Sequence, residues 1–321
     1  MATGVILLNM GGPDSLEAVR PFLFNLFSDR KIIQLGPPFL QRPIAWLIAR
    51  KRAPKSAACY KKIGGKSPLL HITNVQADTL GKELNRCDLP HGPFYCVPGM
   101  RYFAPRTPDQ LARLKRKGVK RFVALSMYPH YSHATAGTSV DDFKKAAEDL
   151  GIKEYSVIDS YPDHPLYIKA LCQCIKKGLS QISDHSGFRL VYSAHSLPQK
   201  MVEQGDPYVD HINRTIRAIE QETGIRGTLC FQSRSGPVRW LEPATDHLLV
   251  KLARDGVKEI LCVPISFVSD HIETLYEIDI LYKDMMKKRG VRLVRTPSLN
   301  NSPVFISCLK ELVLKNLTGD T

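Results

Sequence analysis

The sequence lacks any apolar run long enough to cross a bilayer. The nearest candidates, residues 32–41 and 43–49, are short and are separated by Arg42, whereas a membrane-spanning helix needs about 20 apolar residues. It also lacks the basic segment and cleavage site of a secretory signal, because Met1 leads directly into the apolar run Gly4–Asn9. We therefore expect a cytoplasmic protein.

Cysteine pairs with the spacing of a disulfide framework or a zinc site are also missing. The eight cysteines are scattered, and several lie in apolar runs, as Cys96, Cys230 and Cys262 do. Such positions are typical of free, buried thiols in a reducing compartment. Cys172 and Cys174 are two residues apart and have no second pair, so they do not predict a zinc or cluster site.

Acidic residues are the minority among the charged side chains. The chain has 45 Lys and Arg against 31 Asp and Glu, a formal net charge of +14 at pH 7. This charge attracts anions, but the sequence has no basic stripe with interleaved aromatic residues, so we expect no nucleic-acid partner. The glycine-rich segment 62–68 has Tyr60 where a phosphate-binding loop needs its first glycine, and 9–13 lacks the third glycine of a dinucleotide site. Nucleotide binding is therefore not predicted.

What the sequence does have is a regular alternation of short apolar runs and longer segments of helical period. This alternation is typical of parallel sheets flanked by helices, and 321 residues are enough for two domains. We predict two similar Rossmann-like α/β domains, each with a four-stranded parallel sheet, and a cleft between them. The expected boundaries are 1–150 and 151–302, with a C-terminal helix at about 303–317 that packs back on the first domain. The eight predicted strands are 4–9, 93–98, 121–127, 155–159, 188–193, 228–232, 259–265 and 292–294.

A weak internal repeat agrees with two similar domains. KGVKRFVALSMYP resembles DGVKEILCVPISF, and the alignment sets Gly118 beside Gly256. A second alignment sets NMGGP beside AHSLP, so that Met10 corresponds to His195. Units of the α/β type also resemble one another without duplication, and the sequence alone leaves both explanations open.

Ligands of open α/β sheets bind beyond the carboxyl ends of the strands, where His195 and an acidic segment stand. A neutral imidazole accepts a proton or binds a divalent metal, although a histidine at a turn is more often only hydrogen-bonded. In SDHIETLYEID, Asp270 is a candidate N-cap, and Glu273 and Glu277 are four residues apart on one predicted helical face. A solvated acidic face is the simpler interpretation; a line of carboxylates that carries a divalent ion is the functional one.

Several longer segments together resemble the ferrochelatase family, whose members insert ferrous iron into a porphyrin. The segments are, in order, GVILLNMGGP, YKKIGGKSP, GMRYFAP, YPHYS, SAHSLP, GDPY, FQSRSGPVRWLEPATD and SFVSDHIETLYEID. They run from about residue 4 to about residue 317, nearly the whole chain. The resemblance implies a lyase of haem biosynthesis, with two parallel four-stranded domains around a porphyrin cleft.

The resemblance also implies roles for individual residues. His195 and Glu273 match the iron site and proton-handling pair, and Glu277 continues the acidic line. A further acidic residue that family members often have one turn later is replaced by Leu281, so the acidic path is expected to be shorter. The residues expected to line the porphyrin pocket or hold its propionates are Met10, Arg52, Tyr60, Ser67, Arg101, Tyr102, Tyr128 and Trp240.

The preferred substrate expected from the segments YPHYS and HIETLYEID is protoporphyrin IX. A coproporphyrin-type or other tetrapyrrole chelatase is the alternative enzyme, and a non-catalytic porphyrin or haem carrier is the alternative of another class. Fe²⁺ is expected as a substrate rather than as a permanent cofactor. Because no cysteine follows Cys308, we expect no iron–sulfur cluster of the kind that some family members carry.

The segment 31–55 is apolar in part and basic at its end. Two interpretations have equal weight: a helix packed on its own domain, or a lip that touches the inner face of the cell membrane and admits the porphyrin. The oligomeric state is not predicted.

Overall fold

A computed structural model describes residues 2–86, 91–234 and 236–318. The chain divides into two compact units, Met1–Ser160 with Ile306–Thr321, called unit 1, and Tyr161–Phe305, called unit 2. The predicted boundary after residue 150 lies ten residues before the observed one. The reason is that the fourth strand of the chain, Glu154–Ile158, pairs with the third strand, Arg121–Ser126, and so belongs to the first sheet.

Unit 1 contains four strands and most of the chain's longer helices. Its elements are β1 (Thr3–Asn9), α1 (Val19–Ser28), α2 (Gln41–Lys61), α3 (Leu69–Asn85), β2 (Phe94–Met100), α4 (Thr107–Arg116), β3 (Arg121–Ser126), a short π-helix (His133–Gly137), α5 (Thr138–Asp149) and β4 (Glu154–Ile158). A 3₁₀ turn, Pro38–Leu40, precedes α2, and the last helix of the chain, Pro303–Thr318, lies mostly in this unit.

Unit 2 has the same kind of alternation. Its elements are α6 (Pro165–Leu179), β5 (Arg189–His195), α7 (Gln199–Glu203), α8 (Tyr208–Thr223), β6 (Gly227–Gln232), α9 (Thr245–Arg254), β7 (Glu259–Pro264), a long π-helix (Glu273–Tyr282), α10 (Lys283–Lys287) and β8 (Arg292–Arg295). The C-terminal helix, Pro303–Thr318, is α11.

The two sheets have the same strand order and are parallel throughout. The order is β2-β1-β3-β4 in unit 1 and β6-β5-β7-β8 in unit 2. Central strands of such sheets are covered by helices on both faces and are therefore apolar along their whole length. Accordingly, β1 and β7 are buried at every position. The predicted fold class, with eight strands in two four-stranded parallel sheets, is confirmed.

Hydrogen-bond register extends the internal repeat beyond the aligned segments. Ser126 pairs with Leu8 in unit 1, and Pro264, which the first alignment sets beside Ser126, pairs with Ser193 in unit 2. Ser193 therefore corresponds to Leu8 in the sheets. Extending this register by two residues sets Met10, directly after β1, beside His195, the last residue of β5, as the sequence alignment also does.

Each unit has its own apolar core beneath its helices. In unit 1, Ile6 and Leu8 of β1 pack with Phe122 and with Phe143 of α5, all fully buried. In unit 2, Val191, Cys230 and Cys262 come from three neighbouring strands and pack with Ile278 and Met286. Burying each large apolar side chain stabilises the fold by about 1.5–3 kcal/mol. Cys230 and Cys262 are buried free thiols as expected, whereas Cys96 on the edge strand β2 is only partly buried.

Helix α2 is the main element for which the sequence pattern left two interpretations. It is a continuous helix of 21 residues although it contains Pro54, and only a few of its residues, such as Ala45 and Ala49, are buried. Proline near the first turn, as at Pro43, costs little because those N–H groups have no partner within the helix. In the described residues, no helix is both long and apolar enough to cross a membrane.

Candidate active site

His195 is the last residue of β5, at the carboxyl end of the central strand of unit 2. The strand continues two residues beyond the predicted end, and its backbone is fixed on both sides. The N–H of His195 donates to Ser266 Oγ at 3.0 Å, and its carbonyl accepts a hydrogen bond from Tyr208 Oη at 3.0 Å. The sheet therefore fixes the point from which the imidazole projects.

The imidazole of His195 pairs directly with a carboxylate. Its Nδ1 lies 2.8 Å from Glu273 Oε2, and the two side chains are 34% and 19% exposed. Among the described residues nothing is hydrogen-bonded to Nε2. Because Glu273 occupies Nδ1, Nε2 is the nitrogen available to a substrate.

The acidic segment forms a π-helix rather than the expected α-helix. Glu273 is its first residue and Glu277 lies four residues later. A π-helix has i→i+5 hydrogen bonds and a wider turn than the 3.6 residues of an α-helix, so the angular offset between successive side chains differs from that of the predicted face. Glu277 Oε1 also accepts a hydrogen bond from Tyr282 Oη, at the end of the same helix, at 2.9 Å.

The predicted N-cap role of Asp270 is wrong. Its carboxylate accepts hydrogen bonds from the side chains of Arg295 at 3.0 Å, Ser298 at 2.8 Å and Asn300 at 2.8 Å. The helix begins only at Glu273. Asp270 therefore fixes the loop before the helix, and Arg295 lowers its pKa although burial acts to raise it.

The sequence assigned no role to two further residues of the site, Gln232 and Ser233 at the end of β6. Ser233 Oγ lies 2.7 Å from Glu273 Oε2 and also contacts Glu277 Oε2, while the Ser233 N–H donates to Glu277 Oε1 at 3.0 Å. Gln232 Nε2 donates to Glu277 Oε2 at 3.1 Å. A polar pair directly after an apolar strand was the available signal. The backbone of Ser233 has a φ of +66°. Serine rarely adopts a positive φ, so the sequence gives no sign of this conformation.

Burial and pairing shift the pKa values of the three titratable groups in different directions. Burial alone lowers the pKa of His195, but the charge and hydrogen bond of Glu273 outweigh it and raise that pKa above its usual value. For Glu273 burial acts upward, yet His195 holds its pKa well below the usual range. Burial and the neighbouring charge of Glu273 raise the pKa of Glu277. Glu273 therefore stabilises the protonated form of His195, and Glu277 holds a proton more readily than an exposed glutamate.

His271 lies beside this group and interacts electrostatically with Glu273 and His195. Its Nδ1 lies 3.1 Å from the carbonyl of Ser269, and its ring is tilted against Phe267 with centroids 4.2 Å apart. Burial lowers its pKa. The ring of Phe267 also meets His195 edge-on, at 6.3 Å.

The structure brings three of the predicted porphyrin residues together at the end of β1 in unit 1. The Tyr102 N–H donates to the carbonyl of Met10 at 2.9 Å, next to Arg101. The Arg101 guanidinium is already paired with Asp29 at 2.7 Å and Asp142 at 3.1 Å. Tyr102 Oη also donates to Asp29 at 2.9 Å. Arg101, Tyr102, Asp29 and Asp142 therefore form a cluster in which the Arg101 charge is already paired with carboxylates.

Ser67 joins the same region through the glycines after β1. Its N–H donates to the carbonyl of Pro13 at 2.8 Å, and a Cβ added to Gly12 would lie 2.5 Å from Ser67 Oγ. Only glycine permits this close approach.

The other predicted pocket residues lie at different places. Arg52 is exposed on α2 with its guanidinium 5.4 Å from the ring centroid of Phe27. Tyr60, near the end of the same helix, is buried. Tyr128 follows β3, and burial raises its pKa. Trp240 lies opposite Pro198 in an isolated antiparallel bridge, close to where the chain leaves His195.

In the part of the chain that the structure describes, no group of three or more His, Cys, Asp or Glu side chains has the arrangement of a metal site. His195 and Glu273 form a pair only. A divalent ion there would need further ligands from another molecule, such as water or the nitrogens of a macrocycle.

Comparison with known proteins gives a consistent result over the whole chain. The family model described as Ferrochelatase matches residues 2–317. A protein named Ferrochelatase from Geotalea uraniireducens is 52% identical over 321 residues, which cover 99% of each chain. Another protein of that name, from Desulfotalea psychrophila, is 55% identical over 315 residues, 98% of this chain and 97% of the other.

Solved structures resemble the fold at low sequence identity. SirB from Bacillus subtilis with Fe3+ has a TM-score of 0.58 at 8% identity and covers 100% of this chain and 98% of its own. DR2241 from Deinococcus radiodurans, a multi-domain protein with structural similarity to chelatases, has a TM-score of 0.54 at 12% identity, over 98% of this chain and 54% of its own. These two likenesses show a shared fold.

Proposed function

The chain belongs to the ferrochelatase family, and from this membership we propose that it inserts ferrous iron into protoporphyrin IX through His195 and Glu273. Insertion of iron into a porphyrin, a step in haem biosynthesis, is the activity of the chain, and it makes the enzyme a metal-chelating lyase. The observation that carries the proposed site is the 2.8 Å pair between His195 Nδ1 and Glu273 Oε2 at the end of β5.

The reaction requires a group that accepts protons, because two pyrrole protons must leave as the iron enters the ring. Nε2 of His195 takes this role, and a positioned general base contributes about 10²–10⁴-fold to a rate. Glu273 orients the imidazole through Nδ1 and stabilises its protonated form, as its effect on the pKa of His195 indicates. Proton transfer from porphyrin to His195 therefore places positive charge beside an existing negative charge.

The carboxylates of Glu273 and Glu277 bind the incoming Fe²⁺ and accept protons from His195. Thiolate ligands bind soft transition-metal ions preferentially, whereas carboxylate oxygens do not. Carboxylates are therefore suited to release Fe²⁺ to the nitrogens of the macrocycle. Ser233 joins both carboxylates, so the three side chains form one continuous polar path in unit 2.

The porphyrin itself is held by the residues that the family resemblance indicates. Met10, Tyr128 and Trp240 act as bulky walls that favour a bent ring, so that binding energy is used in the transition state. Arg52, Tyr60 and Ser67 receive the propionates, and the exposed guanidinium of Arg52 suits this role. Arg101 and Tyr102, already held by Asp29, form a fixed polar wall.

An anaerobic assay tests the substrate directly. The purified protein is mixed with Fe²⁺ and either protoporphyrin IX or coproporphyrin III, and the visible spectrum is followed as the free-base bands disappear. We expect faster metallation of protoporphyrin. Faster metallation of coproporphyrin would show that the enzyme is a coproporphyrin-type chelatase. Porphyrin binding without metallation of either compound would favour a non-catalytic carrier.

A membrane contact is proposed for the start of α2 and the turn before it. Phe39 is 77% exposed and Leu47 is 59% exposed, and Trp46 lies beside Leu47 with 42% exposure. Arg42 and Arg50 are exposed on the same segment. Apolar side chains flanked by basic ones are typical of a surface that lies in the headgroup region of an anionic membrane. The enzyme would then be cytoplasmic and peripheral on the inner face of the cell membrane.

Flotation with lipid vesicles tests this contact. The protein is mixed with phosphatidylcholine vesicles with and without phosphatidylglycerol, at low and high salt. We expect flotation with the anionic vesicles that weakens with salt and is lost in Leu47→Asp, while the control Tyr95→Asp, an exposed aromatic side chain on β2, floats normally. Absence of flotation in all conditions would remove the membrane contact.

Iron is proposed to be a substrate only, with no permanent cofactor and no iron–sulfur cluster. Analysis of iron and acid-labile sulfide in the purified protein tests this, and stoichiometric amounts of both would contradict it.

A further inference from the structure

Ser233 is the residue at which unit 2 departs from the backbone pattern of unit 1. At the equivalent position in unit 1, two residues beyond the end of β2, the Tyr102 N–H donates to the carbonyl of Met10 at 2.9 Å. In unit 2 the Ser233 backbone turns away with φ +66°, and its N–H donates instead to the side chain of Glu277 at 3.0 Å.

The backbone acceptor that Ser233 leaves is taken by another residue. The carbonyl of His195 corresponds to that of Met10, and it accepts a hydrogen bond from Tyr208 Oη at 3.0 Å. The fold of unit 2 thus compensates the departure of Ser233 at the residue that bears the catalytic imidazole. This compensation indicates that the turn is a built feature.

The loop after Ser233 is also longer than its counterpart. In unit 1, Met100 N–H donates to the carbonyl of Pro105, five positions later; in unit 2, Phe231 N–H donates to the carbonyl of Pro243, twelve positions later. Ser233 lies within this longer connection, directly after the end of β6.

Gln232 fixes the other end of this turn. Its Oε1 accepts a hydrogen bond from Ser193 Oγ at 2.6 Å, and its Nε2 donates to Glu277 Oε2 at 3.1 Å. Gln232 is buried, and Ser193 Oγ is in turn 2.9 Å from Thr245 Oγ1. The backbone that presents Ser233 is therefore held by a chain of buried hydrogen bonds.

Taking Ser233 and its contacts with both carboxylates together, we propose that Ser233 is a positioning residue that sets the spacing of the Glu273 and Glu277 carboxylates and thereby the affinity of the site for the incoming iron. The hydroxyl contacts one oxygen of each carboxylate, Oε2 in both cases. Without it, Glu273 keeps its contact with His195, and Glu277 keeps those with Gln232 and Tyr282, but no side chain joins the two carboxylates. This inference rests on the proposed function of the same site.

The backbone conformation supports a functional rather than a local role. Among the described residues, only Ser233 and Asn300 have positive φ without being glycine. Asparagine adopts this region readily, whereas serine pays a conformational cost. Strained residues persist where the surroundings require them, and they cluster at functional sites. Glycine would adopt the turn without that cost but would have no hydroxyl to join the carboxylates.

Two substitutions separate the hydroxyl from the backbone. Ser233→Ala removes Oγ and retains the constrained backbone, and Ser233→Gly removes Oγ and relaxes it. Ser180→Ala, at the exposed end of α6 where Oγ donates to the carbonyl of Lys177, is the matched control. The measurements are the KM for Fe²⁺, the KM for protoporphyrin, kcat, Tm, and the imidazole Nδ1–H proton resonance of His195 in the iron-free protein.

In both Ser233 variants we expect the KM for Fe²⁺ to rise about tenfold, the scale of one lost hydrogen bond to a charged group. The KM for protoporphyrin stays within about twofold, because Ser233 acts through the carboxylates. The His195 resonance shifts in both variants, because its partner Glu273 loses a contact. The control matches the wild type in every measurement.

Equal rises in both KM values, or Fe²⁺ affinity that is retained in Ser233→Gly and lost only in Ser233→Ala, would overturn the proposal in favour of a structural role. An unchanged KM for Fe²⁺ with an unchanged His195 resonance would also overturn it, and the proposed function would stand if the wild type is active. A wild type that inserts no iron would overturn both, whatever the Ser233 variants do.

Discussion

Unit 1 and unit 2 have the same strand order, yet their strand ends carry different side chains. Met10 in unit 1 stands where unit 2 has His195, and the alignment that sets Gly118 beside Gly256 also sets Thr135, in the short π-helix, beside Glu273. In the same register, Arg101 corresponds to Gln232 and Tyr102 to Ser233. At equivalent positions, unit 2 thus has a histidine–glutamate pair, and unit 1 has a methionine and a threonine.

The charged groups are used differently in the two units. In unit 1, the Arg101 guanidinium lies between Asp29 and Asp142, so that its positive charge is paired within the protein. In unit 2, the Nε2 edge of His195 has no protein partner among the described residues, and burial and Glu273 keep the pKa of Glu277 raised. The shared fold thus provides equivalent strand-end positions in both units. The side chains at those positions determine whether their polar groups are paired within the protein or available to a substrate.

Replacing Glu273 by the residue of unit 1, Glu273→Thr, should have the largest effect. It removes the carboxylate that orients His195, and we expect kcat for iron insertion to fall by about 10²–10⁴-fold, the contribution of positioned acid–base groups. The anaerobic spectral assay measures it. Retention of more than a tenth of the wild-type activity would mean that iron insertion does not depend on the Glu273 carboxylate.

Replacing Arg101 by its counterpart, Arg101→Gln, should convert the cluster in unit 1 into unpaired buried carboxylates. Breaking such a pair costs about 3 kcal/mol, which lowers Tm by roughly 6–12 °C for a unit of this size. Arg121→Gln, which removes an exposed pair with Glu154, is the control and should cost under about 1 kcal/mol. Equal losses of Tm in the two variants would show that the buried cluster contributes no more to stability than an exposed ion pair.

Glu273→Gln should change the pH dependence of stability. Because His195 has a raised pKa and Glu273 a lowered one, the pair stabilises the folded protein between the ordinary pKa of a glutamate and the raised pKa of His195. Its contribution is lost as pH rises through the latter or falls through the lowered pKa of Glu273.

The expected difference in unfolding free energy between wild type and Glu273→Gln is about 1 kcal/mol near pH 6, since a third of the imidazole is solvent-exposed. It should shrink toward pH 9. Urea unfolding of the iron-free proteins at a series of pH values measures it. A difference that grows with pH would show that the pair is not ionised as His⁺ and Glu⁻.

Leu281→Glu should have the smallest effect. Leu281 is 47% exposed on the long π-helix, four residues after Glu277, and the substitution extends the acidic line to a third position. We expect kcat and the KM for Fe²⁺ to change by less than about threefold, because an exposed carboxylate at this distance is screened by solvent. A rise in kcat beyond that range would mean that the shorter path limits this enzyme.

The elements that the sequence predicted well are those with a strong local pattern. All eight strands were identified, and the clearest were those buried along most of their length, because such parallel strands are largely apolar, as Arg121–Ser126 and Glu259–Pro264 illustrate. His195 and Glu273 were selected from specific motifs near the ends of such strands, and the structure places their side chains 2.8 Å apart. The Met10 and His195 correspondence was visible in the sequence, and the register of the sheets supports it.

Features that depend on tertiary contacts were not predicted. The wide turn of Glu273–Tyr282 has no distinct hydrophobic period, so it was expected as an α-helix. Asp270 has the residue type of a cap, but Arg295, far along the chain, pairs with it. No role was predicted for Ser233, because its contacts with Glu273 and Glu277 depend on a backbone turn that the sequence does not show. The boundary after β4 required knowledge of strand pairing.

The most direct measurement is made on His195→Met, which gives unit 2 the residue of unit 1. Porphyrin binding, followed by quenching of protein fluorescence, and anaerobic iron insertion are measured on the same sample. The account predicts porphyrin affinity within about threefold of the wild type and a loss of insertion on the order of 10³-fold. Insertion at the wild-type rate by a folded His195→Met protein would contradict the assignment of the chemistry to unit 2.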